Sequence, residues 1–340
     1  MHMADALLSP AVGGTMWAAS AGAIIYCSRT LRQEMDGGKA PLMGVLGAFI
    51  FAAQMINFSI PATGSSGHLG GGLLLAVLLG PSAAFITIAS VLVVQALFFA
   101  DGGLLALGCN IFNLGFFPAF LAYPLIYKPL LGSKPSKSRI TVAAMVAAII
   151  GLQLGAFAVV LETVASGISA LPFATFAGLM QPIHLAIGVV EGLVTAAVVS
   201  FVYQARPEII ASVQDARLLG RAPLRNVLAA FLGMTLLTGG FVSWFASENP
   251  DGLEWAIARV SGAEEVAEPQ DGVHARLAAL QEAIAFLPDY TFKPSGQQPE
   301  NGGGPESSLG TSVAGVVGGL LTLAIALLSG MLLRRQGRVV

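Results

Sequence analysis

Unbroken apolar stretches long enough to cross a bilayer recur along most of this chain, and they leave few folds open to it. A hydrocarbon core about 30 Å thick takes about 20 helical residues to cross, and every backbone N–H and C=O inside it must be satisfied within the protein. The 340 residues are 55% hydrophobic and only 11% charged, with a mean hydropathy of +0.77. This profile is that of an all-α integral membrane protein, a helical bundle, rather than a water-soluble domain. Nine spans are expected, over residues 10–28, 41–57, 69–79, 82–100, 104–127, 140–165, 174–204, 225–246 and 309–333. The third is short, glycine-rich at Gly70-Gly71-Gly72 and cut by Gly80-Pro81, so it is expected to be tilted or packed inside the bundle.

Charge fixes an expected orientation. With the N-terminus outside and nine alternating spans, fourteen of the seventeen Lys and Arg residues fall on the cytoplasmic side, the asymmetry that cytoplasmic loops carry. The C-terminus is then inside. The first span has no Lys or Arg before Arg29 and already contains Asp5, so it reads as a retained helix and not as a cleaved signal. Residues 247–308 fall outside and hold eleven of the nineteen acids against Arg259, Arg276 and Lys293. They are expected to form a small extramembrane acidic domain, with helices after Asn249-Pro250-Asp251 and over 273–287 and a flexible linker over 297–308. The expected organisation is a membrane bundle over 1–205, a cytoplasmic linker over 206–224, and a separate module over 225–340.

Several functions are excluded. A net charge of −2 gives no basic surface for nucleic acid. Cys27 and Cys109, the only two cysteines, sit in apolar runs and supply neither a disulfide framework nor a zinc motif. The sequence has no Gly-x-x-x-x-Gly-Lys-Ser/Thr loop to bind ATP and no His-Glu-x-x-His metalloprotease motif.

Four histidines remain: His2, His68, His184 and His274. A histidine in second place can join the α-amine of Met1 and its own backbone nitrogen and imidazole around one ion, closing a five- and a six-membered ring. Three nitrogens in a plane suit Ni2+ or Cu2+, and imidazole also serves cobalt and zinc. Alone, His2 is an ordinary residue on a frayed end. His68, in the Ser65-Ser66-Gly67-His68 loop, shares the outer face in the expected topology, which strengthens the metal reading of both. In the seventh span His184, Gly188, Glu191 and Thr195 fall on one helical face, either as a relay along a transport path or as a structural hydrogen-bonded pair. Asn110 and Asn113, near the outer end of the fifth span, suit a supporting role beside a ligating imidazole. Glu162 is expected to snorkel, and Gly14, Ala18 and Gly22 make a smooth strip for helix packing, within the chain or against a partner.

These motifs, taken in order, resemble a known family. The Met-His start, Ser-Gly-His-Leu before a glycine-rich helix and Leu-Leu-Gly-Pro, Val-Gln-Ala-Leu-Phe-Phe-Ala-Asp-Gly-Gly, Gly-Cys-Asn-Ile-Phe-Asn, and His184 through Glu191-Gly192 resemble the CbiM/NikM substrate-binding components of energy-coupling-factor transporters for nickel and cobalt. Residues 225–340, with Asn-Pro-Asp-Gly-Leu-Glu-Trp, look like the NikN or PDGLE companion fused behind. The resemblance implies a transporter subunit, not an enzyme, without a resident cofactor. It implies an ion held by the amine of Met1, the backbone and side chain of His2, and His68. Ser66, Asn110, Asn113, His184 and Glu191 are candidates for a supporting shell or pathway. The implied partners are a transmembrane coupling subunit and two cytoplasmic ATP-binding subunits, in the bacterial inner membrane. The implied cargo is Ni2+, with Co2+ for cobalamin synthesis as the alternative. Where the family usually continues with an Ile-Pro-Asp-Gly-like turn, this chain has Met3-Ala4-Asp5-Ala6. Competing readings are an intramembrane serine protease, with Ser66 in Gly64-Ser65-Ser66-Gly67 and His184 as base, a passive metal channel, and a scaffold subunit.

Overall fold

A computed structural model describes residues 2–215, 217–219, 224–263, 266, 267, 269, 272–292 and 305–337. The chain is a helical bundle. Its helices are α1 (Pro10–Glu34), α2 (Lys39–Gln54), α3 (Gly72–Leu79), α4 (Pro81–Phe99), α5 (Leu107–Leu131), α6 (Lys137–Ser166), α7 (Phe173–Ala205), α8 (Pro207–Gln214), α9 (Arg225–Gly240), α10 (Gly252–Ser261), α11 (Gly272–Ile284) and α12 (Pro305–Gly337). Local signals set the ends. Ser9 accepts from the Val12 amide ahead of Pro10 in the first turn of α1, and Ser136 does the same for α6. Asp251 and Glu254 form a reciprocal capping box at the start of α10.

Each expected span meets a helix, but among the described residues only five are both long and apolar enough to cross a membrane: α4, α5, α6, α7 and residues 308–336 of α12. The third expected span is corrected most. Helix α3 has eight residues, all buried, and is about 12 Å long. Before it the backbone runs non-helically through buried Gly70 and Gly71, with Gly71 in the left-handed region at a φ of 78°, a conformation that glycine takes at no steric cost. Helices α2 and α9 have sixteen residues each, and the chain after α9 tightens into a 3-10 turn over Val242–Phe245. Helix α5 widens into a π-helical stretch over Phe112–Tyr127 that holds Pro118 and Pro124, residues that cannot donate to a regular ladder.

The bundle is also not purely helical. A two-stranded antiparallel ribbon, β1 (Phe58–Ile60) and β2 (Ser65–Gly67), sits in the loop after α2 with Ser59 opposite Ser66. The linker expected over 297–308 lies outside the described residues as far as 304, and Pro305 opens α12.

Helix α2 is the centre of the packing. Every residue from Leu42 to Gln54 is buried, with α4, α9 and α12 around it. Helices α9 and α12 cross at glycines: a Cβ on Gly315 would sit 2.2 Å from the Gly239 carbonyl oxygen, so the backbones touch, as small residues allow in membrane bundles. At one end of α4, Gly80 faces Val213 of α8, and nearby Lys128 donates to the Gln214 carbonyl. Nineteen residues away, about 28 Å along the axis, α4 ends at Phe99 beside Asp101 and His2.

Candidate metal site

The N-terminal segment is built into the bundle. Met3 pairs with the side chain of Asn110 in both directions: its N–H donates to Oδ1 at 2.8 Å and its carbonyl accepts from Nδ2 at 3.2 Å. The Gly103 amide donates to the same carbonyl at 3.0 Å. Asp5 is buried, and its Oδ1 accepts from the Ala106 amide at 2.9 Å. A 3-10 turn over Asp5–Leu7 follows, so this start makes its turn without proline or glycine. The Leu8 carbonyl then accepts from His274 Nε2 at 2.9 Å.

This anchoring brings His2 onto His68. The rings stack with centroids 5.0 Å apart and planes 7° from parallel, and both side chains are 7% exposed. His68 Nδ1 lies 3.1 Å from the Leu69 carbonyl. A carbonyl only accepts, so Nδ1 carries the proton and Nε2 the lone pair. Burial pushes the His68 pKa down to about 3, so the ring is neutral at physiological pH, as a ligand must be. His2 Nδ1 lies 3.0 Å from Asp101 Oδ1, and His2 Nε2 is buried without a hydrogen-bond partner. The six-membered chelate ring expected at His2 requires Nδ1, the nitrogen that here faces Asp101. Met1 lies outside the described residues.

Two further carboxylates complete the surroundings, and sequence reasoning gave neither a role. Burial alone would raise the Asp101 pKa, but the charge and hydrogen bond of His2 and the hydroxyl of Tyr290 outweigh it and hold the carboxyl well below the usual range. Tyr290 donates to Asp101 Oδ2 at 2.5 Å. Asp251, the α10 cap, has Oδ2 3.9 Å from His68 Nε2. The sequence signals were present in Phe-Ala-Asp101-Gly-Gly and Asn-Pro-Asp251-Gly, where an acid before glycine marks a turn that exposes a carboxylate. His274 and Tyr290 had no such signal.

The remaining candidates fall into distinct places. Ser66 docks the C-terminal module: its amide donates to the Pro250 carbonyl at 2.8 Å and its hydroxyl to the Asn249 carbonyl at 2.7 Å. Trp255 adds a bond from Nε1 to the Thr63 carbonyl at 3.0 Å. Glu191 holds the backbone just beyond His68, accepting from Gly70 at 3.0 Å and Gly71 at 3.1 Å. His184 does not pair with Glu191. Its Nδ1 donates to Met180 of its own helix at 2.8 Å, and its Cε1 lies 3.1 Å from where a Cβ on Gly252 would be. Hence the Ser66–His184 pair of a serine protease is not assembled. Asn113 donates to Glu162 at 2.8 Å, so it supports that buried carboxyl and not the histidines. Among the described residues no three His, Cys, Asp or Glu side chains form a group that would hold an ion by themselves.

Comparison with known proteins gives this arrangement its relatives. A family profile described as the cobalt uptake substrate-specific transmembrane region matches residues 2–209, and a PDGLE domain profile matches 225–335. A putative fused nickel transport protein NikMN of Archaeoglobus fulgidus is 32% identical over 99% of both chains. The fused nickel transport protein NikMN of Rhodobacter capsulatus is 30% identical over 85% of this chain and 88% of its own. The cobalt transport protein CbiM of Geobacter sulfurreducens is 27% identical over 80% of each. A crystal structure of a truncated transition metal transporter superposes with a TM-score of 0.54 and 31% identity, covering 60% of this chain and 99% of the other.

Proposed function

Since the chain belongs to the family of cobalt uptake substrate-specific transmembrane regions, here continued by a PDGLE domain, we propose that it is the ion-capturing component of an energy-coupling-factor importer for Ni2+. It is a multi-pass membrane transport protein and not an enzyme. In this reading residues 1–205 bind the ion, 206–224 link on the cytoplasmic side, and 225–340 form the companion module. The nine hydrophobic segments cross the membrane with the N-terminus outside, α3 completing its crossing with the non-helical residues before it. Its partners are a transmembrane coupling subunit and two cytoplasmic ATPases, and the ATPases supply the P-loops that this chain lacks.

The observation that carries the reading is the buried, stacked pair of His2 and His68 at the end of a segment fixed by Asn110. Capture uses the Met1 amine, the His2 amide nitrogen and imidazole, and His68 Nε2, with Nδ1 of His2 passing from Asp101 to the ion as the chelate closes. Loss of protons from amine and amide accompanies binding. Four nitrogens in a plane favour Ni2+ over Co2+.

Calorimetry on the purified chain tests this. One residue inserted between Met1 and His2, and separately His68→Ala, should each weaken Ni2+ binding beyond the roughly 10–100-fold that loss of an outer-shell partner costs. Unchanged affinity in both variants refutes the site. Competition between Ni2+ and Co2+ on the wild-type chain decides the cargo.

A further inference from the structure

A cavity of about 280 Å3 separates the N-terminal segment from the C-terminal module. Its wall includes His2, Asp5, Asp101, Asp251, Glu254 and Asp289, and no Lys or Arg among the described lining residues. Five carboxylates around one cavity concentrate negative potential there. Carboxylates alone would be a solvated acidic surface, but the same wall contains His2, whose side chain is nine-tenths buried and whose Nε2 has no partner.

Size decides what such a space admits. At roughly 30 Å3 per water, a divalent ion with six waters needs about 180 Å3, so the cavity takes the hydrated ion whole. Carboxylate oxygens are hard acceptors that bind the water shell of any divalent ion, whereas nitrogen ligands require the shell to be shed. We propose that this cavity is a reception site for a hydrated divalent cation, bordering the nitrogen ligands at His2, in which the ion is held through its waters by the carboxylates before it sheds them at His2 and His68. The inference rests on the capture function proposed above and assigns the acidic C-terminal module a part in it, through Asp251, Glu254 and Asp289.

Two substitutions remove charge while keeping the local structure. Glu254 uses Oε2 to accept from the Asp251 amide, and Glu254→Gln retains an acceptor there, as capping boxes allow. Asp289 has a φ of 50°, a left-handed conformation that asparagine tolerates well. The test is stopped-flow association of Ni2+ with the full chain, followed by quenching of intrinsic fluorescence, with the dissociation rate measured by chelator chase. The Glu254→Gln/Asp289→Asn double variant should associate roughly tenfold more slowly at low ionic strength. The difference should close as salt rises, and dissociation should stay within twofold of wild type. Glu248→Gln, which removes one charge off the cavity wall in the same module, should leave association unaltered, whereas Glu254→Gln alone, the same charge change on the wall, should slow it. An unchanged association rate in the double variant, or an equal loss in Glu248→Gln, overturns the reception site while leaving capture intact. Wild-type protein that takes up no Ni2+ overturns both.

Discussion

At the scale of single residues, His2 is governed by groups far away in sequence. Asp101 accepts from its Nδ1, and Tyr290 donates to the other Asp101 oxygen. Asp289 and Tyr290 both have positive φ, at 50° and 60°, a conformation that costs such residues about 1–3 kcal/mol each. It persists because the Tyr290 ring is stacked on Phe99 at 5.1 Å and meets Phe51 edge-on at 6.2 Å. Tyr290→Phe keeps that aromatic packing and removes only the hydroxyl. It should weaken Ni2+ binding about tenfold, the lower end for an outer-shell partner, with little change in the thermal unfolding midpoint. Titration calorimetry and a melt on the same sample check it, and an affinity within twofold of wild type would show that the hydroxyl does not matter to capture. Most of this was illegible in sequence: the motif around Asp101 was visible, but nothing in residues 288–291 announces a partner 189 positions away.

At the scale of elements, the short α3 shows what hydropathy reports and what it misses. The run over 69–79 is apolar because it is buried on every side, and it reads as a span for that reason. Its length is cut by Gly70 and Gly71, whose amides turn to Glu191. Gln54 accepts from Gln95 and donates to the Gly70 carbonyl, completing the support of that loop. Glu191→Gln leaves one acceptor facing two N–H groups and sets its own amide against one of them. A buried donor left unsatisfied costs about 1–3 kcal/mol. The variant should unfold at a lower temperature in detergent and bind Ni2+ more weakly, because the loop that carries His68 loses its anchor. A variant that melts and binds like wild type would mean that the clamp is dispensable. The pattern His184, Gly188, Glu191, Thr195 correctly put these residues on one buried face. It did not say that His184 and Glu191 would bond elsewhere, since helical spacing gives a face and not a partner.

At the scale of the whole molecule, the C-terminal module is woven into the bundle. Helices α9 and α12 cover α2, α10 docks on the ribbon through Ser66 and Trp255, and Gln281 of α11 donates to the Ala96 and Gly102 carbonyls at 2.8 Å each. Deleting residues 225–340 bares the α2 face that holds Phe49 and Phe51, now packed on Phe231 and Tyr290. The shortened chain should be less stable to heat and bind Ni2+ at least tenfold more weakly, since Tyr290, His274 and Asp251 leave together. Equal affinity in the shortened chain would restrict the site to the first 224 residues.

Sequence by itself determined the class of fold and singled out His2 and His68 as candidates. Apolar runs dictate helices because a bilayer leaves the backbone no other partner, and a histidine in second position has a chelating chemistry set by covalent structure alone. Only the tertiary structure decided that the segment from His2 onward is anchored in the bundle, that His2 lies on His68, and that two carboxylates and a tyrosine surround them. Those contacts join residues 2, 68, 101, 251 and 290, whose approach depends on how the helices and the ribbon close over one another. No local pattern encodes that closure, because the groups it joins are ordinary until burial removes the water that would otherwise serve them.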